Sequence, residues 1–431
     1  MIMSARLSYA LGVAWAAAAA VGAWLILTPT APLSFRMLDA FWIALGMAAA
    51  ARIVTRRRLP LRTFDTWGAG ASYWPYMLAM VLAPVLGVMF NDAPIDSLST
   101  TVRFVVFASV PVLFALLGVH PRAFWAGVIT GLQVGVALNL AYAVLQVLEF
   151  RGFLPWQTLP HHALSQILPQ ARFDDGGRAA GLFLSGNHLG YFGALSATVF
   201  FARFLLRPRL APAVWTLLAA FLPVLGNSRS ALVLVAVVAF GQTLVAVSVW
   251  RRLPRATPLS LVVLGAVAVL VTAVAVQVDA LAQALRFGRI VQLFEIATRG
   301  LEADGSLRAR VEELWPRALA HLDRYPLGYG AEPSREIGTI DSAWLTYLVQ
   351  GSLPLVIIFA LFLAGAIVMG VVRSAPGRSL DDRSAALALV GMAVVIGGGS
   401  LLLSPLHVPG AMMLVLATWF AVGGRRPGVP S

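Results

Sequence analysis

Apolar runs about as long as a bilayer is thick follow one another along almost the whole chain, separated by short breaks where arginine collects. A spanning helix needs roughly twenty apolar residues. Runs of that kind lie at 9 to 27, 35 to 54, 70 to 90, 101 to 118, 123 to 148, 180 to 202, 213 to 226, 231 to 250, 258 to 278, 343 to 372, 384 to 403 and 409 to 423. The pattern predicts an all-α polytopic membrane protein with about twelve transmembrane helices, forming a single membrane domain over residues 1–431. The seventh and last runs are short for a span. Composition agrees: 59% of residues are hydrophobic and 12% charged, far from the balance of a soluble domain.

The formal charge of +13 comes from arginine alone, since the chain has no lysine. A strongly basic protein can bind nucleic acid, but here the arginines sit in short breaks between apolar runs, where they act as a topology signal. Arg56 to Arg58 with Arg62, then Arg203, Arg207 and Arg209, then Arg251, Arg252 and Arg255, then Arg373, Arg378 and Arg383, and finally Arg425 and Arg426, all fall on one side of the membrane. Arginine-rich loops stay in the cytoplasm, so both termini are expected there. The run after Arg6 has the look of a leader, yet no cleavage site separates it from the next run, and it is expected to be the first span. With no cysteine, thiol nucleophiles, thiolate metal sites and disulfides are excluded.

One long polar insert, residues 279–341, breaks this pattern between the ninth and tenth runs, and the same topology places it in the periplasm. Within it, Leu307, Val311, Leu314, Trp315, Ala318, Leu319 and Leu322 recur at helical spacing and predict an amphipathic helix. Pro316 should kink or interrupt that helix. A glycine-rich turn, Tyr325 to Gly330, follows, and Asp341 then stands at the membrane edge.

Other polar groups gather on the same outer side. The sixth span is expected to open within Gly176 to Tyr191, presenting its N-terminal amides beside Arg178, an arrangement suited to an anion. Asn187 and His188 are expected two to three turns deeper, bonding either a substrate or neighbouring helices. In Gly226-Asn-Ser-Arg-Ser230, Asn227 or Ser228 can cap the eighth span, with Arg229 in its first turn. The helix dipole opposes an arginine there, and Arg229 has no acidic neighbour in sequence, which favours an anionic ligand. Arg308 and Arg310 lie on the insert helix, where a solvated face is the simpler explanation of each. His161 and His162 lack metal-type spacing, and Asp174-Asp175-Gly-Gly reads as a turn. Arginine's planar fork suits phosphate or pyrophosphate, and with no glycine-rich nucleotide loop present, a lipid-linked phosphate is the better expectation.

At these residues the chain resembles the O-antigen ligase and O-antigen polymerase superfamily of bacterial envelope enzymes. The resemblance spans roughly residues 175–370: Gly-Asn-His-Leu-Gly at 186–190, Asn-Ser-Arg-Ser-Ala-Leu at 227–232, Arg310 followed by Leu314 and Trp315, Pro-Leu-Gly-Tyr-Gly at 326–330, and the motif at Asp341. Three departures are evident. Ser352 stands where a glycine is common, with Gly351 displaced by one. Ser185-Gly186 stands where a proline is usual, and Asp341-Ser342 replaces the histidine and asparagine of the ligases, which favours the polymerase branch.

The resemblance implies a GT-C-type architecture and a glycosyltransferase of the bacterial inner membrane that uses neither metal nor other cofactor. Its donor would be an undecaprenyl-pyrophosphate-linked glycan, transferred at the periplasmic face onto a lipid-linked repeat unit of an O-antigen or exopolysaccharide. The bilayer would be its milieu, a chain-length regulator and a flippase its candidate partners, and nucleic acid would play no part. Arg229, Arg310 and Asp341 are the candidate catalytic residues, the arginines stabilising the leaving pyrophosphate and Asp341 orienting or deprotonating the acceptor hydroxyl. Arg178, Asn187, His188, Arg308 and Tyr329 are the candidate substrate-binding residues. Two rivals stand beside this reading: a ligase that delivers the glycan to lipid A core or another acceptor, and a transporter or flippase for the lipid-linked glycan. The absence of a recognisable internal repeat speaks against the transporter.

Overall fold

The computed structural model describes residues 3–21, 37–56, 70–93, 95–155, 158–159, 178–183, 185–250, 308–330, 340, 342–401 and 409–423. These form helices α1 (Ala5–Val21), α2 (Met37–Arg56), α3 (Gly70–Phe90), α4 (Leu98–Leu117), α5 (Pro121–Phe150), α6 (Gly186–Leu206), α7 (Leu210–Leu225), α8 (Arg229–Trp250), α9 (Trp315–Arg324), α10 (Ala343–Arg373), α11 (Leu380–Gly399) and α12 (Pro409–Gly423). No strand occurs among the described residues. Among the described residues, five segments are long and apolar enough to cross a membrane: Ser72–Phe90, Pro121–Phe150, Gly186–Leu206, Arg229–Ser248 and Ala343–Arg373. Shorter apolar stretches lie at Ala5–Val21, Trp42–Thr55, Thr101–Leu117, Leu210–Leu225 and Ala411–Gly423, the seventh and last runs among them. The ninth run and residues 279–307, His161, His162, Asp174, Asp175 and Asp341 lie outside the described residues.

Helix α6 is the buried middle of the bundle, packed by α5, α7, α8, α11 and α12. Apolar side chains gain little by leaving lipid for one another, so close contact between small residues has to hold such helices together. The α1–α5 pair shows how. Gly127, Gly131 and Gly135 repeat every fourth residue on α5 and face Gly12, Ala16 and Ala20 of α1. A Cβ at Gly127 would lie 2.0 Å from the Tyr9 carbonyl, and one at Gly12 would lie 2.1 Å from that of Phe124, so the backbones touch. The alanine run of α1 therefore has a packing role beyond its apolar character.

The two ends of the bundle differ in kind. At one end Arg122 grips Asp382 with Nε at 2.9 and 3.1 Å from the two carboxylate oxygens, and Arg203 lies 3.5 Å from Asp381. At the other end lie the 178–183 segment, the 226–228 hairpin, the turn at 328–330, and the start of α10, which docks on the end of α11.

A break in α10 fixes the position of the turn. Gly351 and Ser352 are non-helical, with Ser352 at φ 54° and ψ −160°, and Pro354 has no N–H to offer. The carbonyls of Val349 and Gln350 are thereby released from the helix ladder. They accept instead from the amides of Tyr329 and Gly330, each at 2.7 Å. The turn sits so tightly that a Cβ at Gly330 would lie 2.3 Å from Gly87 of α3, and Gly330 itself has φ 86°. Glycine is required there on both counts.

Candidate active site

The sixth apolar run does not begin as helix. Residues 178–183 form an irregular segment with Gly181 at φ 58°, and Ser185 then caps α6, its Oγ accepting from the His188 amide at 3.4 Å. Asn187 and His188 therefore stand in the first turn of α6, not two to three turns deep as the sequence suggested. The glycine content explains the shift: a left-handed residue ends regular structure before Ser185 can start it.

Two amides of α5 hold this irregular segment. Gln146 Oε1 accepts from the amides of Ala180 and Gly181 at 3.0 and 2.8 Å. Asn139 Oδ1 accepts from Leu182 at 2.9 Å, while its Nδ2 donates to the carbonyls of Ala20 and Gly135 at 2.8 and 2.9 Å. Both side chains are fully buried. Non-helical backbone at membrane depth needs such partners. The sequence reading passed over them, although two amides seven residues apart on one face of an apolar run were a visible signal.

Arg178 leads into this segment and is 5% exposed. Its Nε donates to the Gly226 carbonyl at 3.1 Å and its Nη2 to Asn187 Oδ1 at 2.5 Å. The guanidinium thus ties the start of α6 to the 226–228 hairpin. Gly186 and Gly226 make that approach possible, since a Cβ on Gly186 would lie 2.4 Å from the Gly226 carbonyl oxygen.

The hairpin itself departs from expectation. Neither Asn227 nor Ser228 caps α8: Asn227 has φ 48°, and its Oδ1, like Ser228 Oγ, is buried without a hydrogen-bond partner. Ser228 is instead wedged against Gly190 of α6, where a Cβ would meet its own at 2.5 Å. The wedge turns Ser228 into a spacer, so these side chains leave the first-turn amides of α8 uncapped. Arg229 opens that helix and is partly buried. Beside it Ser230 accepts from the Tyr191 hydroxyl at 3.2 Å, and the same hydroxyl lies 3.4 Å from the Gly399 carbonyl.

The insert helix is divided, as Pro316 required. A π-helical turn, Arg310–Leu314, precedes α9, with the Trp315 amide reaching back to the Arg310 carbonyl and Pro316 in the first turn of the new helix. The wider turn makes room for a ring that would collide with the preceding turn of a regular helix. The division also separates the two arginines. Arg308 is 62% exposed and bonds Glu312 at 2.9 and 2.8 Å, the solvated face that was its simpler explanation. Arg310 is partly buried and within electrostatic reach of the Tyr191 hydroxyl. Arg178 and Asn187 are thus tied to the 226–228 hairpin through Gly226, Arg229 follows that hairpin in the chain, and His188 stands in the same first turn of α6 as Asn187.

Tyr329 stands apart. It is 5% exposed and packs with the rings of His321 and Tyr325, their centroids 5.2 and 4.9 Å away, above Ala93, Ala318, Ile340 and Val349. Together with the Asn91 Nδ2 bond to the Gly328 carbonyl at 2.8 Å, this cluster pins the insert to α3 and α10. Next to Asp341, Ser342 is the N-cap of α10: its Oγ accepts from the Leu345 amide at 3.4 Å and donates to the Ser400 carbonyl at 3.2 Å. The Ala343 amide also donates to Ser400, at 2.8 Å. The N-cap position of α10 is thus held by Ser342.

A scan of the sequence against protein-family models finds no match, and a search of curated proteins finds none. The chemistry of this end of the bundle therefore has to be read from its residues. The Arg178 guanidinium stands beside the first turn of α6 and the hairpin that opens α8, a field suited to an oxyanion-rich ligand.

Proposed function

We propose that the protein is a membrane glycosyltransferase that polymerises a polysaccharide, moving an undecaprenyl-pyrophosphate-linked glycan onto a lipid-linked repeat unit at the periplasmic face of the bacterial inner membrane. The observation that carries the reading is the tie from Arg178 to Gly226 in the hairpin that introduces Arg229, at the end of the bundle where the insert bearing Arg310 packs against α10. These are the motifs on which the resemblance to the O-antigen polymerase and ligase superfamily rests. A twelve-span topology with cytoplasmic termini and GT-C-type architecture belongs to the same proposal.

The mechanism follows from charge. As the glycosidic bond to the carrier breaks, its electron pair leaves with the pyrophosphate, and negative charge grows on those oxygens. Fixed guanidiniums in a site screened from water stabilise that charge more in the transition state than in the ground state. The acceptor hydroxyl must lose its proton as it attacks the sugar carbon, and Asp341 is the group assigned to take it. Asn187 holds Arg178 in place, and His188 faces the same ligand. The ligase alternative differs in the acceptor alone.

The test is transfer in a purified system containing an undecaprenyl-pyrophosphate-linked repeat unit. Wild type lengthens the glycan; Arg229→Lys, which keeps charge but loses the planar fork, impairs this, and Arg229→Ala abolishes it with protein level unchanged. Full transfer by Arg229→Ala overturns the site. Transfer to lipid A core in preference to a second repeat unit turns the assignment to ligase, and translocation of the lipid without any new glycosidic bond turns it to transporter.

A further inference from the structure

The seam between α3 and α10 opens at the end of the bundle opposite the candidate site. There a crevice of about 660 Å³ is walled by Pro75 of α3 and by Leu361, Ala364, Val368 and Val372 of α10, and Arg373 and Arg378 stand at its mouth. Gly365 sets its depth: a Cβ there would lie 2.1 Å from Ser72 Oγ, so the helices touch at that level and part beside it. Both helices belong to the set long enough to cross a membrane, which places the apolar wall among lipid chains. Leu361, Val368 and Val372 are exposed on it, at 59%, 61% and 61%.

We infer that this crevice is a binding site for an anionic phospholipid, one acyl chain lying in the α3–α10 seam and the headgroup phosphate between Arg373 and Arg378. Charge and hydropathy select that occupant together. A neutral apolar molecule makes no use of the positive charge at the mouth, and a free phosphate leaves the wall bare. Arg373 is anchored for the task, its Nη1 donating to the Val422 carbonyl of α12 at 2.5 Å, while Arg378 lies on the exposed turn after α10. Of the acidic groups nearest this end, Asp381 pairs with Arg203, and Asp382 is bonded to Arg122 while its charge also reaches Arg378. Basic pockets between membrane helices recognise lipid headgroups in this manner. The inference is independent of the glycan-transfer reading, since it uses none of that site's residues.

Native mass spectrometry of the full chain in detergent tests it, with phosphatidylglycerol and phosphatidylcholine as probes. Wild type retains phosphatidylglycerol in preference to phosphatidylcholine. Arg378→Gln weakens that retention about fivefold, and Arg373→Gln with Arg378→Gln weakens it about thirtyfold, from about 1 kcal/mol per arginine. Val368→Trp, which fills the crevice and leaves both arginines, lowers retention of both lipids; Arg209→Gln, outside the crevice, changes nothing. Glycerophosphoglycerol, the headgroup without chains, fails to displace the lipid. Equal retention of the two lipids by wild type overturns the inference. So does unchanged phosphatidylglycerol binding in a Val368→Trp protein that elutes as wild type does, or displacement by the headgroup alone.

Discussion

Arg178 donates from Nε to the carbonyl of Gly226 at 3.1 Å, so a side chain at the start of one helical hairpin is fastened to the backbone turn that introduces Arg229. The second arm of the fork holds Asn187. A lysine can satisfy one of these acceptors but not both in a planar arrangement.

Asparagine 187 separates the structural from the electrostatic use of Arg178. In Asn187→Asp the carboxylate forms a charge-assisted pair with the guanidinium, which preserves the fastening but cancels its positive charge. Thermal stability should hold, and transfer from a lipid-linked donor should fall roughly tenfold, about 1.4 kcal/mol of lost transition-state stabilisation. Unchanged transfer with unchanged stability would reduce Arg178 to a strut.

Serine 352 should be a position where glycine improves the fold. Its φ of 54° with ψ near −160° lies in a region that side chains avoid, at a cost of about 1 to 3 kcal/mol. The break at this point is kept because it releases the Val349 and Gln350 carbonyls to the turn at Tyr329 and Gly330. Ser352→Gly should raise stability in detergent by about 1 kcal/mol after allowing for the added freedom of the unfolded chain. Ser352→Ala, which removes the hydroxyl and keeps the strain, should not. Equal gains in the two variants would locate the effect in the hydroxyl.

At the opposite end, Asp382 lies just before the apolar run that begins near Ser384. Burial pushes its carboxyl up, but hydrogen bonds from Arg122 and Ser379 and the charges of Arg122 and Arg378 outweigh this and hold it below the ordinary carboxylate value. A depressed folded value means the pair stabilises the fold fully above the unfolded pKa of about 3.9 and less as pH falls through the folded one. Asp382→Asn should therefore cost roughly 1 kcal/mol at pH 7, the upper end for a partly exposed pair. Unfolding curves of wild type and variant should converge as the pH is lowered below about 4. A constant gap across that range would argue against the ion pair as its source.

Much of this architecture was legible in the order of apolar runs. Wherever the described residues cover one of those runs, a helix is found. The arginines at 178 and 229 stand out in the sequence because charge next to an apolar run has few inexpensive explanations. What escaped were features decided by a partner elsewhere in the chain. Asn139 and Gln146 look like routine polar interruptions of α5 until the amides of 180–182 are seen to need them. The failure of Asn227 and Ser228 to cap α8 depends on Gly190 leaving room for the Ser228 side chain, which no local pattern reveals. Tyr329 sits in a motif that suggests substrate contact, yet its burial against His321 and Tyr325 fastens the insert.

Asp341 and the serine that follows it have separable parts to play. Because Ser342 already holds the N-cap position of α10, with Oγ bonded to both the Leu345 amide and the Ser400 carbonyl, the two residues separate folding from chemistry. Ser342→Ala removes a cap and should lower stability by about 1 kcal/mol, with transfer per folded molecule reduced at most severalfold. Asp341→Asn leaves that cap in place, and its amide cannot accept a proton as a carboxylate does. It should fold and insert normally yet slow glycan transfer by about a hundredfold, the scale of general-base catalysis. The pH profile adds an independent readout, since the wild-type rate should rise with pH as the base ionises and the residual rate of Asp341→Asn should lack that limb. Near-normal polymer from purified Asp341→Asn, or a wild-type profile that the variant retains, would remove Asp341 from the mechanism while leaving the arginine site standing.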